Sequence, residues 1–245
     1  RFSKGLTLEN SASIIEKAFT VKKPKVVVIQ INSPGGSPVQ SELIYNKIRV
    51  LADENKVKVI TIAEDVAASG GYMLMCAGDE LLANKSSIVG SIGVISASFG
   101  FKDLIEKIGI QRRIFTAGEN KSFLDPFVDV QDKDVDKLIK VQVSIFENFK
   151  SLVLNSRKNK VDPDKVCNGE FWTGEQGIEL GLVDSNETLV SYLDSNYGKN
   201  YKLRTIESKK SFFKGLVSSK SDSTNSISGL VETLYEELYW GRYGR

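Results

Sequence analysis

The chain has 245 residues, of which 41% are apolar, and its 33 basic and 31 acidic side chains leave a net charge of +2. That is enough apolar mass for the core of one large domain, and the charge is too balanced for nucleic acid or an anionic lipid surface to be the main partner. Two cysteines and no histidine exclude a disulfide scaffold, a multi-cysteine zinc site, the Ser-His-Asp triad and histidine-ligated metals together.

No stretch approaches the roughly 18 apolar residues of a membrane span. The chain begins at Arg1 rather than methionine, which predicts a preceding segment able to carry an anchor or a signal. Residues 25–31, KVVVIQI, form a β-branched run of strand length, apolar enough to predict burial on both faces. Ser33-Pro34-Gly35-Gly36-Ser37-Pro38 breaks the strand with turn chemistry, and Val39, Leu43, Ile44, Ile48 and Leu51 then recur at helical spacing over 39–54. A second strand over 57–63 completes a parallel βαβ unit. Residues 88–99 read as β-like with glycine interruptions, 101–108 as a short helix and 110–116 as a strand. A long amphipathic helix is expected over 132–157, its stripe of Val135, Leu138, Ile145, Phe149 and Val153 apolar but for Gln142. Residues 170–184 predict a strand, a short helix and another strand, so the alternation favours an α/β domain. The composition changes near residue 207. A peptidase-sized domain over 1–206 is therefore followed by a Ser/Lys-rich linker over 207–229 and a helical tail over 230–245.

Without histidine, acid–base chemistry falls to a carboxylate, a lysine or a tyrosine. Gly35 and Gly36, between a strand and a helix, can present backbone N–H groups to an oxyanion or a phosphate, or can simply close a tight β-to-α turn. Ser69, in Ala67-Ala68-Ser69-Gly70-Gly71, also stands between a strand and a helix. There it can be a nucleophile or an ordinary N-cap, and alanine at position 67 departs from the Gly-x-Ser-x-Gly elbow. A lysine serving as base must shed its proton, which takes burial or a cationic neighbour. Lys121 leads into the apolar Ser122-Phe123-Leu124-Asp125-Pro126-Phe127, a setting that can desolvate an amine. Glu64-Asp65 beside Ser69 offers competing carboxylates, whereas Asp132, Asp134 and Asp136 suit the positive end of a helix dipole. Cys76, among apolar neighbours, reads as inert core.

Taken together, INSPGGSP, VKVITIAED, VAASGGYML, VGSIGVI at 89–95, ENKSF at 119–123 and FWTGEQGIELGLVD at 171–184 resemble the signal peptide peptidase A family of serine peptidases, SohB-like members included. The match runs from about Lys25 to Asp184. The resemblance implies a Clp protease/crotonase-like α/β fold of repeated ββα units with helices packed on the sheets. It implies Ser69 as nucleophile, Lys121 as general base, Gly36 and Gly70 as oxyanion-hole donors, and Ser91 as the residue positioning the lysine. It further implies peptide substrates that are apolar and unstructured, such as cleaved signal peptides or membrane-protein fragments. No metal or organic cofactor is implied. A ring- or dome-shaped homo-oligomer is, in a bacterium, at the inner membrane or in the cytoplasm. Two other readings stay open on the sequence: a crotonase-like acyl-CoA enzyme, which also uses backbone oxyanion donors, and a non-catalytic membrane-associated scaffold.

Overall fold

The computed structural model describes residues 6–206 and Tyr243. The linker expected at 207–229 lies outside the described residues, as does the tail helix expected at 230–245 apart from Tyr243.

The βαβ unit forms as the pattern predicts. Strand β1 (Val26–Ser33) leads into helix α2 (Pro38–Asn55), and β2 (Lys58–Ala68) returns parallel to β1, with Val26 opposite Lys58 and Ile31 opposite Ala63. Helix α2 starts cleanly because Pro38 opens it and the Ser37 hydroxyl accepts the Gln40 N–H. The sequence pattern predicts nothing at α1 (Leu8–Thr20), which is capped by Thr7 and sinks Phe19 into the core.

Strand β2 is the spine of the sheet. One edge pairs with β1. Along the other edge lie β3 (Glu80–Ala83), beside Ile60–Ala63, and β4 (Ile88–Gly90), beside Val66–Ala68; β5 (Phe171–Thr173) closes this side antiparallel to β4. Helix α3 (Gly70–Met75) links β2 to β3. The alternation along β2 divides the core: Val59 and Ala63 face the main cluster with α2, α3 and the long helix α5 (Asp132–Arg157), while Ile60 and Ile62 face a smaller cluster under α8 (Leu189–Tyr197). The result is a mixed α/β fold with helices on both faces of the sheet, as expected of the Clp-like class. Three short helical pieces remain: α4 (Lys102–Lys107), α6 (Pro163–Val166) and α7 (Gly174–Glu179).

Four expectations need correction. Strand β1 is not buried on both faces; Val27 and Ile31 are buried but Gln30 is exposed, and β2 is the fully interior strand. The β-like stretch at 88–99 ends at Gly90, where φ of 100° at Gly90 and 51° at Ser91 turn the chain out of the ladder. Residues 110–116 are not a strand, because they have no neighbouring strand to pair with, and Phe115 in this run is 93% exposed. The second strand expected within 170–184 is also absent; α7 is followed only by an isolated bridge between Ser185 and Leu82.

A buried ion pair fastens the far end of the domain. Arg157, 2% exposed at the end of α5, grips both carboxylate oxygens of Asp184 at 2.9 and 2.7 Å and donates to the Gly181 carbonyl. Burial alone would raise the Asp184 carboxyl. Hydrogen bonds from Arg157, Lys160 and the Leu81 N–H outweigh it and hold the group far below the usual carboxylate range.

Candidate active site

The register of β2 against β4 builds the site. Ala68 is paired with Gly90, so the next residues, Ser69 and Ser91, leave adjacent strands side by side. Both serines take a φ of 51°. For a residue with a Cβ this conformation costs about 1–3 kcal/mol and must be held by its surroundings. Ser69 is held from both sides: its N–H donates to the Gly90 carbonyl at 2.8 Å, and its carbonyl accepts the Met73 N–H at 3.0 Å. The N-cap reading of Ser69 does not apply, since its side chain makes no capping hydrogen bond to α3. With φ 51° and ψ −122°, Ser69 forms a sharp strand-to-helix elbow despite alanine at position 67.

The loop after β1 crosses directly over this elbow. Gly35 has φ of 116°, and a Cβ there would lie 2.8 Å from the Ser69 Cβ and 2.9 Å from the Gly70 nitrogen, closer than atoms approach. Gly70 is packed as tightly, for a Cβ on it would meet the Ser41 hydroxyl at 2.4 Å and stand 3.3 Å from the Gly36 nitrogen. The Gly36 and Gly70 amides are thus neighbours, and both glycines line a recess of about 20 Å³ with Ser69. Neither amide donates to a backbone carbonyl in the turns, loops and caps of the described residues. The Ser33 hydroxyl fixes the approach of the loop by accepting the Gly35 N–H at 3.2 Å.

Ser69 and Ser91 also line a larger cavity of about 400 Å³. Its walls are Val94 and Ile95 after β4, Val143 and Phe146 of α5, and Tyr243, whose ring meets Phe171 edge-on at 5.4 Å. The sequence pattern does not announce these walls, because they converge from four separate stretches. Gln142, the polar break in the α5 stripe, is the exception and lies in the cavity lining.

Of the five expected site residues, one chain therefore gathers Ser69, Ser91, Gly36 and Gly70. It does not bring Lys121 to them. Lys121 sits on an exposed turn, its N–H donating to the Gly118 carbonyl at 3.2 Å, and it lines neither cavity. The apolar residues after it do not desolvate it within the single chain, since Phe123 is itself exposed. The carboxylates Glu64 and Asp65 line neither cavity either, and Asp65 accepts from the Asn32 amide at 3.1 Å. Cys76 is core: burial pushes its thiol up to about 12, leaving it protonated near neutrality. Among the described residues no cluster of three metal-ligating side chains occurs, and no helix is long and apolar enough to cross a membrane.

Comparison with known proteins agrees with this arrangement. The family model described as Peptidase family S49 matches residues 52–196, more than half of the chain, and that described as Clp protease matches residues 5–89. A Brucella melitensis protein named Na(+)/H(+) antiporter NhaA is 44% identical over 98% of this chain and 34% of its own length. The chloroplastic serine protease SPPA of Arabidopsis thaliana is 30% identical over 90% of this chain and 35% of its own length. Protease 4 of Haemophilus influenzae is 30% identical over 71% of this chain and 28% of its own length. The chain spans about a third of the length of these curated relatives. The profile covers the Ser69 elbow, its partner strand β4 and the α5 wall, and on that match the chain belongs to peptidase family S49.

Proposed function

We propose that this chain is a serine endopeptidase in which Ser69 of one copy works with Lys121 of a neighbouring copy. The observation that carries the reading is the strained Ser69 elbow beside the Gly36 and Gly70 amides. Strain of this kind persists only where the surroundings enforce it, and here they enforce a hydroxyl at the mouth of a cavity. Neutral Lys121 takes the proton from Ser69 Oγ as Oγ bonds to the peptide carbonyl carbon. The carbonyl oxygen becomes an anion held by the Gly36 and Gly70 N–H groups. Collapse breaks the C–N bond, and the leaving amine takes the proton back from Lys121. Water then repeats the cycle on the acyl-enzyme. Ser91, beside Ser69, orients the incoming lysine.

A lysine from a second copy is supported by two facts. Lys121 is exposed and outside the cavity, and it rides on a segment, 94–131, with Phe99 and Phe115 on its surface. The assembly is a homo-oligomeric ring or dome. The substrates are unstructured apolar peptides, signal-peptide remnants among them, which suit walls of valine, isoleucine and phenylalanine. In the Brucella relative named for antiport, the matching stretch is one third of a longer chain, which supports work beside a bacterial membrane.

Subunit mixing tests the shared site. Ser69→Ala and Lys121→Ala proteins are each inactive alone. Co-refolded in equal amounts, they regain about one site in four, because a working site needs serine from one parent and lysine from the other. Mixed assemblies that stay inactive, with co-assembly verified by two tags, reject the shared site.

A further inference from the structure

We infer that Gln142 is a specificity-determining residue whose carboxamide pairs with a main-chain amide of the peptide lying in the cavity beside Ser69. The inference rests on the peptidase reading above and names how that site grips its substrate.

Gln142 interrupts the apolar stripe of α5, and the structure shows where the interruption falls. Further along the helix, Phe149 and Val153 are buried in the core. At Gln142, Val143 and Phe146 the helix instead borders the 400 Å³ cavity that Ser69 lines. Gln142 is half-buried, and its carboxamide has no protein partner among the described residues. The cavity contains one other carboxamide, that of Asn168, and its oxygen is engaged, accepting the Glu170 N–H at 3.0 Å. Gln142 therefore supplies both a donor and an acceptor that the folded chain leaves to solvent.

The choice of a main-chain partner follows from the remaining walls. Val94, Ile95, Val143 and Phe146 suit apolar side chains, and an apolar peptide has polar groups only along its main chain. When such a peptide enters, it displaces the water around Gln142, and both the carboxamide and the peptide amide lose their partners. Buried polar groups left unpaired are costly, so the two are matched to each other. One carboxamide offers one N–H donor set and one C=O acceptor, the complement of a single peptide unit. This contact is blind to side-chain identity, so it anchors the chain while the apolar walls select what it carries.

The test compares labelling of Ser69 in the full chain by two probes: a small alkyl fluorophosphonate with no peptide bond, and a peptidyl phosphonate with apolar residues. The variant is Gln142→Met, which keeps the length and nearly the helix propensity of glutamine. The peptidyl probe should label the variant about tenfold more slowly, the weight of about one neutral hydrogen bond, while the small probe labels both proteins alike. Replacing the peptidyl probe's amides one at a time by esters should slow wild type at one position and leave Gln142→Met unaffected there. Equal slowing of both probes would mean a disturbed Ser69 and would overturn the inference. So would unchanged labelling by the peptidyl probe, or no amide position at which the two proteins differ. Failure of the small probe to label wild-type Ser69 is a separate result: it removes the nucleophile itself, and this inference with it.

Discussion

Around Ser69, the flanking residues Ala67, Ala68, Gly70 and Gly71 are all buried, and the serine's own N–H and carbonyl are both bonded. Around Lys121, residues 115–121 are exposed, and in the surrounding segment Phe99 is 79% and Phe115 93% exposed. The two regions stand on opposite physical terms. The first satisfies its polar groups and buries its apolar ones within one chain, so it can hold strain at a chosen residue. The second leaves large apolar side chains in water, and its shape is complete only against another surface. A nucleophile needs fixed geometry. A base delivered from outside needs a surface that carries it there. The predictions below attack one region or the other.

The largest effect falls on the nucleophile. Ser69→Ala should lower peptide hydrolysis by at least about a thousandfold, because a nucleophile and its base act as a unit. It should leave the melting temperature within a few degrees of wild type, since the Ser69 side chain makes no capping hydrogen bond to lose. Steady-state kinetics and thermal unfolding read the two quantities. Activity within about tenfold of wild type would assign the nucleophile elsewhere.

The next strikes the support beneath the elbow. Tyr72, three residues beyond Ser69, is fully buried and its hydroxyl donates to the Leu182 carbonyl at 2.9 Å, two residues from the Arg157–Asp184 pair. Asp184→Asn strands a buried guanidinium and should cost about 3–5 kcal/mol of stability, measured by urea unfolding. The pH dependence has a definite sign. The folded carboxyl of Asp184 lies well below its unfolded value, so its contribution is present above about pH 4 and is lost as pH falls below that. Wild type should therefore lose more stability than Asp184→Asn between about pH 5 and pH 3. Parallel pH curves would sever the pair from acid stability.

The same contrast explains what could be read from the sequence. The βαβ unit was legible because its signals are local: a β-branched run, Ser37 and Pro38 at a helix start, and apolar spacing along α2. Helix α5 was legible to the residue, 132–157, since a long stripe averages out exceptions such as Gln142. Residues 110–116 carry strand-like composition too, but a strand exists only with a ladder partner, and partners are settled by tertiary structure. The elbow at Ser69 was hidden for a related reason. Its positive φ is imposed by the loop at Gly35 and by the bond to Gly90, neither of which is near in sequence. The cavity was hidden further still, with a wall at Tyr243 that lies far along the chain from Ser69. For Lys121, local composition pointed the wrong way. Apolar neighbours desolvate an amine only if they pack over it, and here they face outward.

The smallest effect on folding is expected in the exposed segment, and it separates the two regions most sharply. Phe115 touches little of its own chain, so Phe115→Ser should change the unfolding free energy by no more than about 0.5 kcal/mol. An unassembled chain has no reason to keep such a ring in water. If the segment docks on a second copy and carries Lys121 there, the same substitution removes a large apolar anchor from that contact. The assembly should then dissociate at higher protein concentration than wild type, and specific activity should fall with it. Raising the concentration should restore activity, because the substitution leaves the Ser69 elbow, the glycine amides and Lys121 unaltered. Sedimentation and peptide hydrolysis over a common dilution series measure both quantities on one sample. Stability and assembly falling together would place Phe115 in the fold of its own chain. Assembly and activity both unchanged across the series would take Phe115 out of the contact, and the delivery of Lys121 would then have to rest on another part of the segment.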